Sequence, residues 1–213
     1  MGKTFVHGKP AGILMVKTHA MGDVLMTTPA IRAVRRHFPQ ASIHYLTGVW
    51  SAPILERNPD IDRVIAVDDA VFHDHRWIDR VRLIGRLRKE RYDVCVLFQP
   101  APAMHLFARL TGAAQIAAPV AGAGSRWVHM PSPWRRERNR YVGEDFLDVV
   151  RNMGIDVQDT QLVFSVDSGV LAEMACRLRD RGLESGQFLV ICPGGGRNPR
   201  DWVEQKIWPA DRY

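Results

Sequence analysis

Strand-length apolar runs alternate with amphipathic helical segments along most of this chain, and this alternation restricts the fold more than any other feature. The clearest case begins at the apolar run 13–17, which a short loop follows. From Asp23 onward apolar residues recur at helical spacing until Pro39. Chains with this rhythm form βαβ units, in which helices cover both faces of a parallel sheet. We therefore expect a Rossmann-like, doubly wound α/β fold.

The same patterns predict the remaining elements. Strands are expected at 42–46, 63–67, 93–98, 114–118, 127–130, 162–166 and 188–192, and helices at 52–57, 78–91, 103–110, 142–153 and 168–181. Ser168 is the expected N-cap of the last helix. The strand at 188–192 then opens into a glycine-rich turn, so that a second strand–helix series begins near the end of the chain.

Composition excludes several classes of protein. The chain has 46% hydrophobic and 24% charged residues, which is ordinary for a globular domain. Its apolar runs are far shorter than a membrane span or the core of a signal peptide requires. The three cysteines, Cys95, Cys176 and Cys192, have no metal-ligand spacing. We expect a protein of the reducing cytoplasm.

The charge balance favours anionic partners. The net charge is +6, and 24 arginines outnumber 5 lysines. Arginine suits bidentate recognition of phosphate and carboxylate, so phosphorylated sugars or an anionic membrane face are expected. No nucleic-acid-binding pattern is present, and nucleic acid is not an expected partner. His73 and His75 lack a companion cluster, so neither a metal site nor a cofactor is expected.

Two groups of basic residues have different interpretations. The helical group is predicted to be a solvated helix face and comprises Arg80, Arg82, Arg86, Arg88, Lys89 and Arg91. The second group lies in a loop beside Trp134 and comprises Arg135, Arg136, Arg138 and Arg140. A basic cluster beside an aromatic ring is suited to a phosphorylated lipid head group or a membrane surface.

The loop after the first strand carries the clearest candidate for chemistry. Ligands of open α/β sheets bind at the carboxyl ends of the strands, and this loop runs from Lys17 to Asp23. Gly22 allows the backbone to approach a ligand. Asp23 has two interpretations: its carboxylate charges or caps the helix N-terminus, or it acts as a general base toward an attacking hydroxyl. Residue chemistry alone leaves both open.

The same loop lies in a stretch that resembles a known family. Residues 13–31, ILMVKTHAMGDVLMTTPAI, are similar to the opening of the lipopolysaccharide heptosyltransferases, the family nine glycosyltransferases. The resemblance continues through residues 92–99, 142–155 and 190–209. It implies the GT-B fold, which has two Rossmann-like domains with the active site between them. It also implies inverting, metal-independent transfer of a heptose, or a related sugar, to the lipopolysaccharide inner core, with ADP-heptose as the expected nucleotide-sugar donor.

The resemblance assigns roles within the first loop. Asp23 falls on the catalytic base, and Lys17 on a cationic position that faces the donor phosphates or the acceptor. Thr18 and Gly22 are expected to contact substrate beside them. His19 stands where the family often has Ser, Asp or Arg.

A second substrate-binding segment is expected near the end of the chain. Lys206 falls on the family lysine before Trp-Pro that contacts the donor phosphates. The preceding turn contains Gly194, Gly195 and Gly196, whose backbone N–H groups are suited to hold phosphate. A flexible surface loop is the alternative interpretation of three glycines.

The resemblance also implies a domain arrangement. Residues 1–167 correspond to the acceptor-side domain, and residues 168–213 to a linker helix and an incomplete start of the donor-binding domain. The expected partners are a nucleotide sugar, a phosphorylated glycolipid acceptor and, peripherally, the cytoplasmic face of the inner membrane. The alternative is a truncated, catalytically incompetent fragment that acts only as an acceptor-side binding domain.

Overall fold

The computed structural model describes residues 8–73, 76–121, 126–135, 140–184 and 186–191. The chain divides into two compact units, Met1–Ser165 and Val166–Tyr213. The strands of the first unit are β1 Gly12–Val16, β2 Ser42–Gly48, β3 Arg63–Val67, β4 Val94–Leu97, β5 Gln115–Val120 and β6 Met130–Pro133. Its helices are α1 Met21–Met26, α2 Thr28–His37, α3 Ala70–His73, α4 Trp77–Lys89, α5 Pro102–Leu110 and α6 Val142–Asn152, with a 3₁₀ turn at Ala52–Ile54.

The six strands form one parallel sheet in the order β3-β2-β1-β4-β5-β6. Met15 of β1 lies between Tyr45 of β2 and Val96 of β4. The strand order reverses between β1 and β4, and ligands of such sheets bind in the crevice at this point. The expected Rossmann-like α/β fold is confirmed.

Both faces of the sheet are buried, which explains why its strands are continuous apolar runs rather than alternating ones. Ile13 and Met15 belong to a core cluster with residues of α2 and α6. Leu14 and Val16 point to the other face and belong to a cluster with residues of α4 and α5. Successive side chains of β1 therefore hold helices on opposite sides of the sheet.

The long helix expected after the first loop is two helices, because the chain breaks at Thr27. The Thr27 hydroxyl donates to the carbonyl of Val24 at 2.7 Å and lies 2.7 Å from the Tyr45 hydroxyl. Burial raises the pKa of Tyr45, so its phenol stays protonated and donates to Thr27. This contact between β2 and the residue that separates α1 from α2 was not predictable from helical periodicity.

Several expected elements differ in the structure. Residues 162–166 are not a strand, because the Val163 N–H donates to the Thr28 hydroxyl at 2.9 Å instead of to a neighbouring strand. The short helix at 52–57 is only the 3₁₀ turn at Ala52–Ile54. The strand expected at 127–130 is displaced, because β6 begins only at Met130 and runs to Pro133. Residues 188–191 are not a strand either, and residue 192 lies outside the described residues.

The second unit contains helix α7, Ser168–Arg179. The expectation that Ser168 caps this helix is wrong, since Asp167 is the N-cap. The Asp167 carboxylate accepts from the N–H groups of Gly169 and Val170 at 2.8 and 3.2 Å. The ionised acceptor satisfies two backbone donors that the first helical turn leaves unpaired.

Candidate functional site

A cavity of about 630 Å³ opens at the carboxyl ends of β1, β4, β5 and β6. It therefore lies beside the point at which the strand order reverses. Its lining combines charged, amide and aromatic side chains: Lys17, His19, Asp23, Phe98, Gln99, Pro100, Ala101, Ala121, Trp134 and Phe146. All of these residues belong to the first unit of the chain.

The loop after β1 brings a lysine and an aspartate together at this cavity. Lys17 follows the last residue of β1, and α1 begins four residues later, so that Asp23 lies in the first helical turn. The ammonium of Lys17 lies 2.9 Å from Oδ2 of Asp23 and also donates to the His19 carbonyl at 3.0 Å. The N-cap of α1 is Ala20, which makes no side-chain cap. The Asp23 carboxylate pairs with Lys17, and its place in the first turn of α1 also puts a negative charge at the helix N-terminus.

The two charges of this pair have different environments. The Lys17 side chain is only 5% exposed, whereas that of Asp23 is 36% exposed. Burial lowers the pKa of Lys17, and the charge and hydrogen bond of Asp23 oppose this shift. Among the described residues, none donates a hydrogen bond to Oδ1 of Asp23. One carboxylate oxygen thus holds the lysine, and the partly exposed side chain lines the cavity.

A buried hydrogen-bond cluster joins the loop after β1 to the end of β4. Oε1 of Gln99 accepts from the Thr18 N–H at 3.3 Å. Nε2 of Gln99 lies 3.0 Å from the Thr18 hydroxyl and 3.1 Å from Nδ1 of His19. Thr18 and Gln99 are both buried. The cluster fixes the loop that carries Lys17 and Asp23 relative to the neighbouring strand.

Gly48, at the end of β2, supports the same loop from the other side. Its N–H donates to the Thr18 carbonyl at 3.0 Å. A Cβ atom at this position would lie 2.7 Å from that carbonyl oxygen and would collide with the Asp69 carboxylate. Only glycine allows β2 to approach the loop this closely.

Three aromatic rings form an apolar wall of the cavity. The ring centroids of Phe98 and Phe146 are 5.7 Å apart in an edge-to-face arrangement. Trp134 lies 6.4 Å from Phe146 and packs against the core. A wall of this kind is suited to the apolar face of a ring-shaped ligand.

The structure describes only part of the set of site residues expected from the sequence. Lys17 and Asp23 meet at the cavity. Thr18 lies behind it, with its hydroxyl bonded in the Gln99 cluster, and Gly22 is exposed on α1. Gly194, Gly195, Gly196 and Lys206 lie outside the described residues.

Sequence reasoning did not assign a role to Gln99 or to the aromatic wall. Gln99 comes two residues after the end of β4, and Trp134 directly after β6. Position at the carboxyl end of a strand near the reversal of strand order was the available signal. The pairing of Trp134 with Phe146 of α6 had no sequence signal, because it depends on how that helix packs on the sheet.

Two further properties concern only the part of the chain that the structure describes. Within it, no group of three or more His, Cys, Asp or Glu side chains is arranged to hold a metal ion. No helix there has the length and apolar character needed to cross a membrane.

Comparison with curated proteins supports the resemblance seen in the sequence, although no family model matches the chain. The chain is 30% identical over 195 residues to lipopolysaccharide heptosyltransferase 3 of Escherichia coli, an alignment that covers 87% of this chain and 55% of that protein. It is 30% identical over 82 residues to lipopolysaccharide heptosyltransferase 2 of Salmonella typhimurium, covering 38% of this chain and 23% of that protein. The chain thus spans at most about half the length of these curated relatives.

Solved structures share the fold. A family 9 glycosyl transferase from Veillonella parvula superposes with a TM-score of 0.72 at 20% identity, over 95% of this chain and 57% of that one. ADP-heptose lipopolysaccharide heptosyltransferase II of Escherichia coli superposes with a TM-score of 0.60 at 19% identity, over 82% of this chain and 51% of that one. The α/β architecture described above is therefore the one found in about half of each of these proteins.

Proposed function

We infer that this chain belongs to the lipopolysaccharide heptosyltransferases, from its 30% identity to one of them over most of its length. We propose that it takes part in inverting transfer of a heptose, or a related sugar, to the inner core of lipopolysaccharide. The observation that carries the proposal is the pairing of a buried Lys17 with a half-exposed Asp23 at the cavity.

Asp23 is the proposed catalytic base. In an inverting transfer the acceptor hydroxyl attacks the anomeric carbon directly, its oxygen forms the new glycosidic bond, and its proton must be accepted. Asp23 lines the cavity, and its Oδ2 is held by Lys17. Lys17 fixes the orientation of the carboxylate and compensates its charge before the hydroxyl arrives.

The proposed donor is ADP-heptose, whose leaving group is the nucleoside diphosphate. Its departure requires stabilisation of negative charge, and no metal ion is assigned to this task. We propose that the N–H groups of Gly194, Gly195 and Gly196, together with Lys206, supply it. Thr18 and Gly22 remain proposed substrate-binding residues. At Gly22 the exposed backbone would let a substrate approach closely. Thr18 would act indirectly, because its hydrogen bonds to Gln99 fix the loop that carries Lys17 and Asp23.

The proposed acceptor is a phosphorylated glycolipid, which places the protein at the cytoplasmic face of the inner membrane. Helix α4 offers a surface suited to an anionic bilayer. Trp77 is 67% and Val81 59% exposed, and the exposed cations Arg82, Arg86 and Lys89 follow on the same helix. Exposed aromatic and aliphatic side chains beside cations are typical of helices that lie in the membrane interface.

Asp23→Asn tests the proposed base. Release of ADP from ADP-heptose is measured with heptose-deficient lipopolysaccharide as acceptor. We expect kcat to fall by about 10² to 10⁴. Asp79→Asn, which removes a carboxylate in the first turn of α4, is the matched control and keeps the wild-type rate. An Asp23→Asn protein with normal turnover would contradict the mechanism.

Titration with ADP-heptose separates this function from the alternative of an acceptor-binding domain without catalysis. A chain that transfers heptose must bind the donor as well as the acceptor. Calorimetric titration with each substrate is expected to show both. Binding of the acceptor alone, with no ADP released, would favour the alternative.

A further inference from the structure

The aromatic wall of the cavity offers a ligand mainly one of its three residues. Phe98 and Phe146 are each 1% exposed, so they support the wall from behind. Trp134 packs against the same core cluster but is only partly buried, and it lines the cavity. We therefore expect a bound molecule to contact the wall at Trp134.

Trp134 is held in place from two directions. Its main-chain N–H donates to the Val120 carbonyl at 3.0 Å, which continues the pairing of β5 with β6 past the last residue of β6. Its indole ring lies at 34° to the ring of Phe146, with 6.4 Å between the two centroids. The sheet and α6 together fix the residue before a ligand arrives, so little side-chain entropy is lost on binding.

The donor groups of Trp134 are not available to a ligand. Its main-chain N–H is bonded to Val120, and its indole Nε1 is enclosed, with no hydrogen-bond partner among the described residues. Trp134 therefore has no accessible donor for a phosphate or carboxylate oxygen. What the residue can offer is an apolar aromatic ring, whose negative face attracts weakly positive C–H groups.

The aromatic wall and the proposed base belong to the same side of the sheet. Val24, which follows Asp23 in α1, lies in the core cluster that contains Phe98 and Phe146, and α1 contacts α6. The cavity thus combines a carboxylate with an apolar ring. A molecule with hydroxyl groups on its edge and C–H groups on its face matches this combination, and a sugar ring has this chemistry.

We propose that Trp134 is a specificity-determining residue that stacks on a sugar ring of the acceptor and holds the hydroxyl groups of that ring on the side of Asp23. The choice of the acceptor rests on the proposed function, which assigns the donor diphosphate to Lys206 and the glycine turn before it. The stacking rests on the arrangement of the wall alone.

Proton NMR of the bound acceptor tests the stacking directly. The probe is the core oligosaccharide of heptose-deficient lipopolysaccharide, titrated with the chain in the absence of a donor. Protons held over an aromatic face shift upfield, so we expect the ring C–H signals of one sugar to shift in this direction. The shift at saturation should be largely lost with Trp134→Leu. A wild-type chain that leaves these signals unshifted, or does not bind the oligosaccharide, would overturn the proposal.

A pair of substitutions separates stacking from packing. Trp134→Phe keeps a flat aromatic ring, whereas Trp134→Leu fills the space with an aliphatic side chain. We expect Trp134→Leu to weaken calorimetric binding of the oligosaccharide about tenfold, and Trp134→Phe to retain most of the affinity. Trp50→Leu changes a tryptophan that is 48% exposed and is not among the residues lining the cavity, and it should bind as the wild type does. Thermal unfolding checks that each variant is folded, and the wild-type NMR spectrum decides the stacking even if one is not.

Binding of ADP is the second arm of the titration. Unchanged affinity of Trp134→Leu for ADP supports the assignment to the acceptor, whereas a loss confined to ADP would assign the ring to the nucleobase and refute it. Wild-type oligosaccharide binding by Trp134→Leu, or an equal loss in Trp134→Phe, would refute the stacking. A wild-type chain that binds and shifts the oligosaccharide but releases no ADP from ADP-heptose would contradict the proposed function and leave this contact in place.

Discussion

The ammonium group of Lys17 lies 2.9 Å from Oδ2 of Asp23, and the lysine is buried while the aspartate reaches the cavity. An ion pair with one buried and one exposed partner contributes little to the stability of the fold, because the cost of burying the ammonium offsets the attraction. Its effect on the position of the carboxylate is more important than its effect on stability. It holds a carboxylate oriented at the carboxyl end of the sheet, where a hydroxyl can approach.

Lys17→Met is expected to separate stability from activity. Met fills the same space without a buried charge, and water can still hydrate the exposed part of Asp23. We expect the free energy of unfolding to change by no more than about 1 kcal/mol, while ADP release is largely lost. Urea denaturation and the transfer assay measure the two effects. A loss of several kcal/mol would show that the pair is mainly structural.

The pH dependence of the same variant follows from the lowered pKa of Lys17. Because the folded-state pKa lies below the unfolded value of 10.5, the unfolded chain binds more protons in the window between them. Stability from this group therefore rises with pH through that window. We expect the wild-type chain to gain stability relative to Lys17→Met as the pH approaches 10.5. A constant difference between their urea midpoints would contradict this expectation.

Gly22→Ala tests whether a substrate approaches the backbone of α1. A Cβ atom at Gly22 meets nothing within 4 Å, and the same holds for Gly85 in α4. Alanine should stabilise either helix by about 0.5 to 1 kcal/mol. Only Gly22→Ala is expected to raise the KM of a substrate. If both variants kept wild-type KM values, close approach at Gly22 would be excluded.

Gly48→Ala is expected to damage the site through packing. The added methyl group must displace both the Asp69 side chain and the Thr18 carbonyl, at a cost of about 1 to 3 kcal/mol. Because Thr18 lies beside Lys17, kcat should fall as well. Thermal unfolding and ADP release are measured together, with Gly85→Ala as the control. A Gly48→Ala protein of unchanged stability would argue against the close approach of β2 and the loop.

Ala20→Gly tests the backbone strain next to the proposed base. Ala20 has φ 64°, a conformation in which its Cβ is unfavourable. Glycine removes the strain, and we expect a net gain of up to about 1 kcal/mol in the free energy of unfolding. Arg91, which has φ 52° and is remote in sequence, offers a control. We expect Arg91→Gly to change the free energy of unfolding about as much as Ala20→Gly does, and to leave the transfer rate unchanged. Destabilisation by Ala20→Gly would show that the methyl group packs favourably.

Local patterns were sufficient for most of the sheet. The strand expected at 63–67 matches β3, and the apolar run at 13–17 contains most of β1, because strands buried on both faces are continuous apolar runs. The same reasoning was wrong at 162–166. That stretch has the composition of a strand, but the Val163 N–H bonds to the Thr28 hydroxyl instead of to a strand.

Within the site, the sequence alone determined which loop carries Lys17 and Asp23, since a strand followed by a helix places its connecting loop at the carboxyl edge of a parallel sheet. Only the tertiary structure decided that Asp23, in the first turn of α1, pairs with Lys17, and that the Gln99 amide contacts the His19 ring. Gln99 is 80 residues from His19 along the chain. Such contacts arise because β1 and β4 lie side by side in the sheet, and no local spacing carries that information.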